Sequence, residues 1–330
     1  MRKKPLPVPA KATKKSSLLC VGHVTLDTFM TVLDAEVHCD INHRDCKVCF
    51  DFGSKLPVES VCYGIGGGAG NVSVGTTNLG INTSIYTIIG NDPKGKDIKE
   101  SLKKHRVGVK HVKEDLNPTD QASVISYKHD RTIFTYSFPR EYQVHKYWDE
   151  YDNIFISSVG DNVSKLYSQA ILYKKKNPKT TIFYNPGSRE LKNSRDDVLR
   201  MIEHVDYLIA NLEEGCTILN SSLKVNDIEI NDLLNLLVEK GIKNVVLTAG
   251  LKGVYATNKD YEFHVPAKKV RMVEKTGAGD AFASAFIAST IYKNEMETSL
   301  KWGVINASGV ITKIGAQEGL LTKTQIEKGL

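Results

Sequence analysis

From Leu18 onward, short β-rich runs alternate with longer segments of helical period. The runs are SIYTII (84–89), NIFISSV (153–159), TIFYN (181–185), VDYLIA (205–210) and NVVLTAG (244–250). Between them lie helical patterns over 94–105, 162–176, 195–203 and 229–240, and two more, 279–292 and 297–313, finish the chain. Alternating strands and helices imply parallel βαβ units, so the expected fold class is α/β, a doubly wound, mainly parallel sheet covered by helices. Residues 30–63 and 119–139 break the alternation, and the second reads as a hairpin, ASVISYK then HDR then TIFTYSF. Strand-only inserts on an α/β body predict a small β-sheet lid. The expected organisation is a disordered basic tail over 1–17 and one α/β domain over 18–325 with both lid segments inserted.

Charge removes one class of function. Basic residues outnumber acidic ones by 44 to 38. Arg2, Lys3, Lys4, Lys11, Lys14 and Lys15 of the tail account for all six of that excess, which leaves the body balanced. A local tail is not a basic stripe across a folded face, so no nucleic-acid partner is expected. No stretch approaches the ~20 apolar residues of a membrane span, so no membrane partner is expected either. Pro5, Pro7 and Pro9 oppose a targeting helix in the tail, and the default location is cytoplasmic, with reduced cysteines.

Three glycine-rich segments compete to hold a phosphate. Gly64, Gly66 and Ala69 match a dinucleotide fingerprint, but they follow an irregular insert rather than the first strand of a nucleotide unit. Gly90 to Lys96 approaches a Walker loop, but Asp97 replaces the hydroxyl that should meet Mg²⁺, and a turn before a surface helix fits better. Thr276-Gly277-Ala278-Gly279-Asp280 opens a small-residue helix. Glycines there let successive amides point into one concavity at a helix N-terminus, which makes an anion hole. Asp280 in the first turn can take a proton from a hydroxyl beside that hole, or it can merely stabilise the helix end.

GGGAGN at 66–71 together with TGAGDAF at 276–282 resembles the two signatures of the ribokinase-like, PfkB-type carbohydrate kinases. Gly22 to Asp27, Gly90-Asn91-Asp92 with Gly95, and Asn211-Leu212-Glu213-Glu214 follow in register, so the similarity covers about 18–320. The resemblance implies an ATP- and Mg²⁺-dependent kinase that phosphorylates a hydroxymethyl group of a small sugar or sugar-like substrate. Asp280 would be the general base, and the amides of Gly277, Ala278 and Gly279 would stabilise the transferring phosphoryl. Asn211 and Glu214 would organise Mg²⁺ and phosphate through water. Thr248, Gly250 and Gly253 would lie along the nucleotide, with Asn306 and Gly315 near its adenine end. Asp27, Gly66, Gly67 and Asn71 would meet the sugar. The lid sheets would pair two subunits into a homodimer. Glu274-Lys275-Thr276 stands where the family commonly reads Asp-Thr-Thr, so a monovalent-cation site is not carried over. Gly68 replaces the lysine of ribokinases and argues against ribose as the default substrate.

His38, Cys39, His43, Cys46 and Cys49 crowd the first lid segment. They offer ligands for a structural zinc, but a single C-x-x-C and the wide Cys39 to Cys46 spacing fit packed free thiols better. Arg131 and Arg140 could meet a substrate phosphate. A nucleoside kinase is the alternative reading, because Phe134, Tyr136 and Phe138 could stack a base. A catalytically silent nucleotide or sugar sensor and a dinucleotide-dependent oxidoreductase are the readings from other classes. The first has no need of Asp280 as a base, and the second leaves the 276–282 motif unexplained.

Overall fold

The computed structural model describes residues 17–40, 46–128, 130–220 and 222–330. All of the expected tail except Ser17 lies outside them, as does His43. In chain order, β1 (Ser17–Val21) opens the body and β2 (Thr25–Val32) opens the lid. The hairpin β3 (Glu36–Cys39) and β4 (Cys46–Cys49) follows, and β5 (Val58–Gly66) returns to the lid. Next come α1 (Gly68–Asn78), β6 (Asn82–Gly90), α2 (Pro93–Lys104) and β7 (Gly108–Asp115). The lid closes with β8 (Gln121–Tyr127) and β9 (Asp130–Tyr136). The body resumes with β10 (Asn153–Ile156), α3 (Ser164–Lys176), β11 (Thr181–Tyr184), α4 (Ser188–Asn193), α5 (Arg195–Ile202) and β12 (Tyr207–Asn211). Then follow α6 (Leu212–Leu219), α7 (Ile230–Glu239), β13 (Asn244–Thr248), β14 (Val254–Asn258) and β15 (Glu262–Val265). Helices α8 (Ala278–Ile291), α9 (Met296–Val310) and α10 (Lys323–Gly329) end the chain.

Nine strands form the body sheet in the order β15-β14-β13-β12-β11-β10-β1-β6-β7. The seven from β13 to β7 run parallel, and β14 and β15 add an antiparallel edge. The order reverses around β1, so β1 and its neighbours β6 and β10 mark the switch point, where the carboxyl ends of open α/β sheets bind ligands. Two apolar cores, one on each face, sandwich the sheet: Phe183, Phe282 and Phe286 on one side, Trp148, Tyr167 and Tyr184 on the other. Among the described residues no helix is long and apolar enough to cross a membrane.

A separate four-stranded sheet, β5-β2-β8-β9, is the lid. It begins at Thr25, five residues earlier than the sequence pattern indicates, because β2 leaves the body almost at once and alternates across a sheet of its own. The hairpin β3-β4 pairs apart from both sheets. Its register sets Cys39 directly opposite Cys46, and the two form a disulfide. The expectation of reduced thiols fails at this pair, which also leaves neither sulfur as a zinc ligand. Cys49 is free and exposed.

Candidate active site

The 276–282 segment turns into α8 through Gly277, whose left-handed backbone (φ 79°) caps the helix. A Cβ there would stand 2.6 Å from the Cβ of Ala316, so both the conformation and the space demand glycine. The first turn of α8 then faces a cavity of about 190 Å³ lined by Asn185, Asn211, Glu214, Thr248, Gly277, Ala278, Gly279 and Asp280, together with Arg131 and Lys275. Eight of the residues singled out from sequence, Arg131 among them, meet at this one cavity, although they come from segments up to 149 positions apart.

Asn211 and Glu214 owe their places to local capping. The Asn211 side chain accepts from the Glu214 amide at 2.8 Å, and the Glu214 carboxylate accepts from the Asn211 amide at 3.0 Å, a reciprocal cap that starts α6 at the end of β12. Burial and the nearby carboxylates of Asp280, Glu213 and Glu190 push Glu214 up to about 7. Thr248 ends β13 beside them, within reach of the Ala210 carbonyl.

Asp280 is tied to the glycine-rich motif at 66–71. Asn71, in the first turn of α1, donates to its carboxylate at 2.8 Å, and Gln317 in turn donates to Asn71 at 2.9 Å and to the Ile65 carbonyl at 3.2 Å. This chain orients Asp280 while leaving its second oxygen free of that bond. Desolvation raises the Asp280 pKa, against the hydrogen bond from Asn71. Gln317 was not legible in the sequence, because nothing in a loop after α9 signals a partner some 246 residues upstream.

Asp27 sits on β2 with 6% exposure, and its Oδ1 has no hydrogen-bond partner. Burial and then repulsion from Asp280 push its pKa up to about 6, against a hydrogen bond from Thr25. Gly66 lies opposite Thr25, and a Cβ on Gly66 would collide with the Asp27 carboxylate. Gly67 (φ 80°) caps α1, and its Cβ would lie 2.5 Å from the His23 carbonyl oxygen.

Asp27, Gly66, Gly67 and Asn71 stand beside this cavity without lining it, and four of the residues named from sequence for the nucleotide do not line it either. Asn306 is wholly buried between α8 and α9, and both ends of its amide are consumed: it donates to Ala281 and Ser284 and accepts from Leu321. Gly250 opens the short turn after β13, and Gly253 (φ 92°) closes it against the Pro266 backbone. Gly315 (φ 100°) shapes the loop that brings Ala316 onto Gly277. Arg140 is buried in ion pairs with Asp115 and Asp120 and serves the fold. The second glycine motif is likewise structural: Asp92 caps α2 by accepting from Gly95 at 2.7 Å.

The model of the pfkB family of carbohydrate kinases matches residues 19–323. This chain belongs to that family. As a member it is a phosphotransferase with an alcohol group as acceptor. It is 24% identical over 321 residues to a nucleoside kinase of Methanocaldococcus jannaschii, covering 96% of this chain and 97% of the relative. Over 288 residues it is 26% identical to the 5-dehydro-2-deoxygluconokinase of Bacillus subtilis, 80% of this chain and 86% of that one. The ribokinase of Arabidopsis thaliana, solved with ribose and ATP, shares the fold at a TM-score of 0.77 with 17% identity, covering 96% of this chain and 98% of that one.

Within this pfkB member Phe134 and Tyr136 do not face the cavity. Strand pairing puts Asp27, Ala122 and Thr135 in one row, and Thr28, Ser123 and Phe134 in the next. Successive rows point to opposite faces of a pleated sheet, so Phe134 and Tyr136 lie on the face away from Asp27. The argument that they stack a base over the site is thereby removed.

The raised pKa of Asp27 makes a substrate-holding role testable. Such a role predicts that kcat/KM for the acceptor falls with slope one as pH drops through about 6, where the carboxyl gains its proton and the acceptor charge is lost. A profile that stays flat from about pH 5 to 8 would exclude Asp27 as a substrate acceptor.

Proposed function

We infer that this pfkB member transfers the γ-phosphoryl group of ATP to a hydroxymethyl group of a small sugar or sugar-like substrate. The observation that carries this reading is the pairing of Asp280 with Asn71, which joins the anion hole to the sugar-side motif in one site. Asp27, with an unused buried acceptor, holds substrate hydroxyls. Asp280 takes the proton of the reacting hydroxyl as its oxygen bonds to the γ-phosphorus, and the bond from that phosphorus to the ADP oxygen breaks. The amides of Gly277, Ala278 and Gly279 stabilise the charge on the moving phosphoryl, which matters more than base strength in a loose transition state.

Asn211 and Glu214 would hold Mg²⁺ through water. The charge on Glu214, disfavoured by burial and by Asp280, suits a cation beside it. Among the described residues no three or more His, Cys, Asp or Glu stand together as a metal cage, so the ion would keep most of its waters. When bound, it neutralises phosphate charge. A cytoplasmic location goes with the use of ATP.

A nucleoside acceptor is the second reading, favoured by the end-to-end match to the archaeal nucleoside kinase. ADP release from Mg-ATP over ribose, fructose, fructose phosphates, ketodeoxy sugars, adenosine, cytidine and inosine decides between them. ATP that binds with no acceptor-dependent ADP would replace the kinase reading by the sensor.

We also infer a homodimer through the outer lid face. Tyr63 (75% exposed), Phe134 (57%), Tyr136 (50%) and Val61 share that face, opposite the one bearing Asp27. A lone sheet with such a face is completed by a second copy of itself. Sedimentation should give twice the chain mass for the wild type and the single mass for Tyr63→Glu/Phe134→Glu. A wild type that sediments as one chain removes the inference.

A further inference from the structure

The start of β9 and the segment before the anion hole carry matched charges in register. Asp130 and Arg131 are adjacent on the lid, and Glu274 and Lys275 are adjacent on the body. Lys275 reaches Asp130 at 2.8 Å, while Arg131 stands 3.7 Å from Glu274, too far for a hydrogen bond. Both cations also line the cavity with Gly277, Ala278, Gly279 and Asp280. The Arg131 Nε, the second oxygen of Glu274 and the hydroxyl of Thr276 are buried without partners, three of the seven such side-chain atoms among the described residues. Buried polar groups are normally satisfied, so a cluster of exceptions beside an anion hole marks a place that waits for a ligand. Row pairing confirms the aim of the arginine: Thr31, Ser126 and Arg131 share the face of Asp27. From sequence, the expected partner of Arg131 is a phosphate on the substrate; its place beside Gly277, Ala278 and Gly279 points instead to the nucleotide.

We propose that Arg131 is a phosphoryl-binding arm delivered by the lid, released from Glu274 when the nucleotide's terminal phosphoryl enters and holding the lid down over it. The proposal rests on the kinase reading. The four charges stand as two pairs. An entering phosphoryl oxygen competes with Glu274 for the guanidinium, whose planar fork suits it, while Lys275 and Asp130 guide the hairpin back to the same register. Glu274 is then a positioning residue, because its amide-anchoring bond to Thr276 at 2.7 Å fixes it beside the hole.

The test compares binding of ADP with that of a non-hydrolysable ATP analogue, by calorimetry, in the full chain. Arg131→Ala should lose roughly tenfold in affinity for the triphosphate with ADP unchanged, and about 100-fold in kcat, with partial recovery in Arg131→Lys. Hydrogen exchange over 121–136 supplies the second readout. Glu274→Gln should expose the hairpin only in the nucleotide-free protein, whereas Arg131→Ala should lose the protection that the ATP analogue confers. An unchanged triphosphate preference in Arg131→Ala, with wild-type turnover still abolished by Asp280→Asn, overturns the arm and leaves the kinase. Absence of ATP binding by the wild type overturns both.

Discussion

Asp280→Asn should lower kcat about 1,000-fold or more while ATP still binds. The substitution keeps the shape of the side chain and an oxygen that can accept from Asn71, so the Gln317-Asn71-280 chain survives. What it removes is the site's proton acceptor and one negative charge beside the phosphates. Nucleotide affinity should therefore hold or rise, because an anion no longer faces a carboxylate that burial already disfavours. Single-turnover phosphoryl transfer with the acceptor identified from the panel, alongside equilibrium ATP binding, separates the two effects. Retention of a tenth of wild-type kcat would remove Asp280 as base and leave positioning and the anion hole to account for the reaction.

Asp27→Asn should weaken the acceptor substrate and stabilise the protein. Hydrogen bonds to a charged acceptor are worth about 1.5–3 kcal/mol, so kcat/KM for the acceptor should fall roughly 100-fold. The stability gain follows from the position of its titration. A carboxyl raised from 3.8 to about 6 binds its proton more tightly folded than unfolded. Its favourable contribution is complete below 3.8 and is lost as pH rises through about 6, a span of about 3 kcal/mol. Asparagine carries no charge to bury, so the variant should gain a few kcal/mol over wild type at about pH 8, with the gap closing toward about pH 4. Urea unfolding at the two pH values measures it. An Asp27→Asn protein less stable than wild type at the higher pH would mean that the carboxylate is paired in solution and is no open acceptor. Sites that keep an uncompensated buried charge for a ligand give up stability in its absence.

Both variants act on residues that the sequence alone singles out. Strands at 84–89, 153–159, 181–185, 205–210 and 244–250 were legible because each is a continuous apolar run inside the sheet. Helices α2, α3, α5, α7, α8 and α9 were legible from their period. Strand β7 was not: its HVKED half is mostly charged, and it sits at the sheet edge with no residue fully buried. Nor were β14 and β15, which close the other edge as an antiparallel pair outside the βαβ rhythm.

The sequence by itself determined the family, the cap of α8 and the acid that follows it, because the motif is local backbone chemistry: glycines that allow a left-handed cap, and a carboxylate in the next turn. It could also supply Asn211 and Glu214, a cap written within four residues. Only the tertiary structure decided which distant groups complete the site. Gln317 behind Asn71, Arg131 beside Glu274, and Phe134 turned away from Asp27 depend on sheet register and loop placement, and a shift of one residue in register would reverse every lid side chain. Asn306 shows the same limit from the other side: its motif position fits a ligand contact, but its amide bonds to α8 and to the loop that follows α9. Contacts made across hundreds of residues are fixed by the packing of whole layers, and no local pattern records them.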